Sequence, residues 1–168
     1  MILREPTTMR ALTAILADTG RMIDVALARN LHDAGLRWRP ATGDRFLIDS
    51  AAFEDDDGDA QIFTISEMTI EAHTYPTGTE LGFNGTTEWA LDSVSTDDSL
   101  WLPREDQLRD LLGPTFHALT RTESGDYEVS TTIGGEIQLF TAPDAENAYA
   151  SALLAYIDAS LRIEERLE

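Results

Sequence analysis

The chain has 168 residues, 42% of them hydrophobic, which suits one domain with a sizeable core and excludes wholesale disorder. It has no cysteine, so disulfides, thiolate metal sites and cysteine nucleophiles are excluded. The formal net charge is −19, and all 12 basic residues are arginine, an absence of lysine that fits a GC-rich coding sequence rather than guanidinium chemistry.

The charge is uneven. Residues 1–45 carry seven arginines against five acids, and the remainder carries five against 26. So negative a body repels nucleic acid and anionic membrane, and attracts a basic partner. The longest apolar stretches fall well short of the roughly 18 residues of a membrane span. Ala11 to Ala17 is the only patch like a signal peptide, and Asp18 stands where a small-residue cleavage site belongs. A cytoplasmic protein is expected.

Residues 1–21 read as an N-terminal extension, with Thr7 or Thr8 capping a short helix to Ala17. A single α+β domain is expected over 22–161, followed by a tail over 162–168. Met22 to Ala34 carries Ile23, Leu27, Leu31 and Ala34 at helical spacing, and Gly35 stands where a left-handed terminator belongs. His32, near that helix's C-terminus, suits the helix dipole. Trp38 lies between Arg37 and Arg39, either a small basic-aromatic patch or a strand tryptophan flanked by snorkelling arginines.

After the turn Ala41–Asp44, Arg45 to Asp49 reads as a strand. Glu54–Asp59 holds five carboxylates in six residues. Aligning Gly58 with the glycine of a calcium loop puts Phe53 and Thr64 at ligand positions, so the EF-hand pattern fails and a solvated connection is expected. Gln61–Ile65 is a short apolar run. From Met68 to Tyr75 the chain alternates, which places Glu71, His73 and Tyr75 on one sheet face. Pro76–Gly78 turns the chain, and Glu80–Phe83 returns as the partner of a hairpin. Asn84–Thr87 reads as a turn and cap for a short helix Glu88–Asp92, and lacks the Gly-Lys-Ser/Thr of a phosphate loop.

Ser93–Ser99 reads as an acidic loop. Leu100–Leu102 then anchors the chain, and Pro103 opens a helix with Leu108, Leu111 and Leu112 as its buried stripe, stopped by Gly113-Pro114. Residues 115–122, 125–132 and 136–140 read as three antiparallel strands, with His117 beside Phe116 as a structural histidine. The last helix starts after Thr141 or Asp144 and runs to about Leu161, with Tyr149, Ala152, Leu153, Tyr156 and Ser160 on one face. The expected fold is α+β: two groups of antiparallel strands, about 45–83 and 116–140, packed with about three helices.

Four strings, Asp33-Ala-Gly-Leu-Arg-Trp, Gly43-Asp-Arg-Phe, Gly82-Phe-Asn-Gly-Thr-Thr-Glu-Trp-Ala-Leu-Asp-Ser-Val and Leu100-Trp-Leu-Pro-Arg-Glu-Asp-Gln-Leu, give residues 22–157 a likeness. The stretch resembles short bacterial proteins that carry a pilus-assembly (CpaE-like) label. That resemblance implies a bacterial accessory context. Full-length pilus-assembly proteins are related to ATPases, but this chain has no Gly-Lys-Ser/Thr element and no parallel βα alternation, so ATPase chemistry is not implied.

No nucleophile elbow and no His-x-x-x-His occur, so hydrolase and zinc templates find no match. The leading expectation is a non-catalytic binding protein with no cofactor and no metal. It would recognise a protein partner, a basic one being an option, or a small ligand, through candidates Trp89, Asp92, Trp101 and Arg104. It is expected to bind neither nucleic acid nor membrane. The alternatives are a small enzyme using Glu71, His73 and Tyr75 as an acid-base cluster, and an acidic DNA mimic that inhibits a basic protein.

Overall fold

The computed structural model describes residues 22–48, 61–66, 70–83 and 93–164. The helix expected near residues 7–17, the acidic loop 54–59 and the turn and helix expected over 84–92 lie outside them. The described residues form an α+β fold of three helices and three small antiparallel sheets.

Helix α1 spans Val25–Asp33, starting later than the apolar spacing suggests because Asp24 caps it. The Asp24 carboxylate accepts from the amides of Ala26 at 2.8 Å and Leu27 at 3.3 Å, satisfying two orphan donors. Gly35 ends the helix at φ +97°, and the Leu36 amide closes back on the Leu31 carbonyl at 3.0 Å. His32 lies in the last turn, as the dipole favours, and pairs with Asp33 at 3.2 Å.

The first sheet contains β1 (Arg45–Ile48), β2 (Ile62–Thr64) and β6 (Ser99–Leu102), in the order β2-β1-β6. Alternation along β1 sends Leu47 into a helical core and Phe46 and Ile48 into a second, aromatic core. The sheet therefore serves as the wall between two cores. Trp38 precedes it outside any strand, so the reading as a strand tryptophan is corrected.

The second sheet is β3 (Ile70–Tyr75), β4 (Gly78–Phe83) and β5 (Ser93–Ser95), in that order. Its two longer strands form the expected hairpin, which turns at Pro76-Thr77 and pairs His73 with Glu80. The third sheet is β7 (Phe116–Arg121), β8 (Tyr127–Ile133) and β9 (Glu136–Ala142). The earlier strand group thus divides between two sheets, joined by β5 and β6 from residues that read as loop and anchor.

Helix α2 spans Glu105–Leu112, with Arg104 as its cap residue. Pro103 stands one step outside the helix and is buried, rather than opening it. Leu108 and Leu112 are buried, but Leu111 is 41% exposed, a correction to the expected stripe. A helix of eight residues meets the core along a narrow strip, and Leu111 falls beside it.

Helix α3 spans Ala145–Glu164 and continues past the expected end at Leu161. Asp144 caps it, accepting from the Asn147 amide at 2.8 Å. Asn147 in turn accepts from the Asp24 amide at 2.8 Å, so the starts of α1 and α3 are tied together. Ala148, Tyr149, Ala152 and Leu153 pack in the helical core with Leu31, Leu108, Leu112 and Val129. Among the described residues, no helix is long and apolar enough to cross a membrane.

Candidate functional site

A cleft opens between α1 and the segment running from β5 into β6. Its walls include His32, Arg37, Trp38, Asp97, Leu100 and Trp101. The volume is about 80 Å3. Pockets for nucleotides or drug-sized ligands run about 300–1,000 Å3, so this cleft suits a single inserted side chain.

The two tryptophans come together from distant parts of the chain. Their rings are 6.4 Å apart and only 7° from parallel. Trp38 also lies 5.5 Å from Phe46, which lies 5.5 Å from Phe63, and Phe63 meets Phe83 edge-on at 5.8 Å. An aromatic row thus runs from the cleft through the second core. β-Strand alternation builds it: Phe46 and Trp101 pair directly across β1 and β6, and Phe46 and Phe63 across β1 and β2.

The two indole N–H groups differ. Trp38 Nε1 donates to Asp44 at 2.9 Å. Trp101 Nε1 is buried and has no hydrogen-bond partner among the described residues. Burying such a donor without a partner costs roughly 1–3 kcal/mol.

Asp44 anchors Trp38 from below. It is 1% exposed, and its two oxygens accept from Trp38, the Ala41 amide, Gln107 at 2.6 Å and Arg104 at 3.2 Å. Arg104 also donates to the Gly43 carbonyl at 2.8 Å and to Asp106 at 3.1 Å. Its hydrogen bond to Asp106 raises its pKa, with burial opposing and the charges of Asp106 and Asp44 adding. The guanidinium is thus occupied in holding the turn that carries Asp44. Asp44 was not a sequence candidate, because a Gly-Asp turn looks solvated until two other segments fold onto it.

Glu71 and His73 do share a face of β3, with Glu71 Oε2 3.8 Å from His73 Nε2. Both are over 40% exposed, and Tyr75, two residues on, is 50% exposed. The His73 ring lies across Gly82, where a Cβ would come within 3.2 Å of it. Beside them is a broad open depression of about 450 Å3, lined also by Pro40, Thr42, Ile65 and Ser66. Among its described lining residues there is no arginine. Trp89 and Asp92 lie outside the described residues. Among those described, no three histidine or carboxylate side chains gather as a metal site.

No protein-family model matches the chain, and the searches of curated proteins and solved structures found no similar protein.

Proposed function

We propose that the protein is a non-catalytic binding protein whose Trp38–Trp101 cleft receives one side chain of a protein partner. The observation that carries this reading is the pair of parallel tryptophans lining the cleft, one of them with a buried N–H that has no partner among the described residues. A partner that inserts an apolar group flanked by a carbonyl packs against the rings and offers that N–H an acceptor once the buried indole edge opens to the cleft. Tryptophans in desolvated sites dominate binding energy at protein interfaces, which supports placing the contact here. The rim carries Arg37 and His32 on one side and Asp97 on the other, so a partner of mixed charge fits it. An accessory role suits the likeness to short pilus-assembly-labelled proteins, and no nucleotide step belongs to the proposal.

The test is affinity capture from the native lysate with quantitative mass spectrometry, comparing the natural chain with Trp101→Phe and Arg37→Glu. Trp101→Phe keeps most of the ring and removes the N–H. A partner retained by the natural chain and lost from both variants, with the fold kept by circular dichroism, is expected. Equal capture by all three would sink the proposal.

The open depression beside Glu71 and His73 favours a second reading, acid-base catalysis on β3. Hydrolase and nucleotidase screens decide it. Robust turnover lost in His73→Ala would establish the enzyme and displace the binding reading.

A further inference from the structure

Among the described residues, three sheets of three strands leave six edges, and open edges invite pairing with another chain. Five are blunted. β2 and β5 are three residues long, and β6 is four residues long and packs beside α1. β3 carries the polar side chains of Glu71 and His73. β7 has a register irregularity between Phe116 and Ala118 and ends on Arg121.

β9 is the exception. Its seven residues pair with β8 in unbroken register, contain no proline, lysine or arginine, and have no described strand on their other side. Ile137 is 67% exposed and Leu139 59%, both on the face away from the helical core. Glu136 and Gln138 are exposed as well, so the first half of the strand is bare on both faces.

We infer that β9 is a homodimer interface, where two copies pair antiparallel to form one six-stranded sheet. The register follows from the side chains. A two-fold axis through Gln138 sets Ile137 of each copy directly opposite Leu139 of the other, giving two apolar pairs on one face. Charge selects a second copy over a cationic partner. Across that face, Ile137 and Leu139 stand beside Thr132 and Ser130, and Thr141 beside Glu128. His117 bonds Thr132 at 2.6 Å. The strip is nearly neutral in a chain of net charge −19, so it offers a cation little and lets a like-charged copy approach. This interface stands apart from the tryptophan cleft and does not depend on it.

The test is sedimentation velocity on the full chain up to about 100 μM, at low and high salt. A dimer is expected whose fraction rises with concentration and with salt, because screening weakens the repulsion between acidic copies. The double variant Ile137→Lys/Leu139→Lys is expected to be monomeric with unchanged circular dichroism and melting. The chain has no cysteine, so Gln138→Cys gives each copy one thiol on the axis. Mild oxidation should link that variant into dimers, while Thr120→Cys on the β7 edge stays unlinked. A natural chain that is monomeric throughout overturns the inference. So does a dimer that survives the double lysine variant, or one that links through Thr120→Cys and not through Gln138→Cys.

Discussion

Gln107 on α2 donates from Nε2 to Asp44 at 2.6 Å, joining positions 63 apart in the chain. The same Gln107 accepts from the Arg104 amide at 3.0 Å, so one side chain both caps its own helix and binds the Asp44 turn. The first sheet, α2 and Trp38 meet at this carboxylate.

Removing that carboxylate strands donors from two segments, Trp38 and Ala41 before β1 and Arg104 and Gln107 at the start of α2. Asp44→Ala is therefore expected to cost about 3–5 kcal/mol, the range for breaking a buried charged network. Asp44→Asn keeps one acceptor oxygen and should cost less. Urea unfolding checks both, and tryptophan emission should shift red in Asp44→Ala as Trp38 loses its anchor.

Asp106 sets a different expectation. Its hydrogen bond with Arg104 holds its carboxyl below the ordinary value of 3.8, with burial opposing. A depressed folded pKa means the stabilisation is present above the unfolded value and is lost as pH falls through the folded one. The carboxyl is 55% exposed, so solvent screening limits the pair to a few tenths of a kcal/mol. Asp106→Asn should thus be slightly less stable than the natural chain at neutral pH. The gap should close as pH falls below about 4, measured by denaturation at each pH.

Two leucines of one helix separate packing from pattern. Leu108 is fully buried among α1, α3 and the first sheet, while Leu111 is 41% exposed. Leu108→Ala is expected to cost about 2–5 kcal/mol, and Leu111→Ala under about 1 kcal/mol. Equal costs would show that α2 docks through a different face.

Gly82 tests the β3 face. An added methyl would meet His73 Cδ2 at 3.2 Å and Nε2 at 3.3 Å, so Gly82→Ala must displace the ring. His73 is half exposed and free to swing, so the expected cost is below about 1 kcal/mol. Nuclear magnetic resonance shifts of the His73 ring should change, and the double variant with His73→Ala should lose the clash.

Much of the fold was legible along the chain. Capping and turn chemistry act over a few residues, so Gly35, Asp144, Gly113 and the Pro76-Thr77 turn sit where local physics puts them. Alternation on β3 placed Glu71 with His73. β5 and β6 were less legible. Ser-Val-Ser carries one apolar residue, and it becomes a strand because β4 offers it a ladder.

By itself, the sequence determined the α+β class, the helices and the hairpin-linked strands, because each of these is a matter of near neighbours in the chain. It also put Trp101 among the candidate binding residues, with Trp89, Asp92 and Arg104. Only the tertiary structure decided which distant groups share a site. Stacking Trp38 on Trp101 and gathering Trp38, Arg104 and Gln107 around Asp44 require β1, β6 and α2 to meet. Such contacts follow from how sheets and helices close over a shared core, and no periodicity within one segment encodes them.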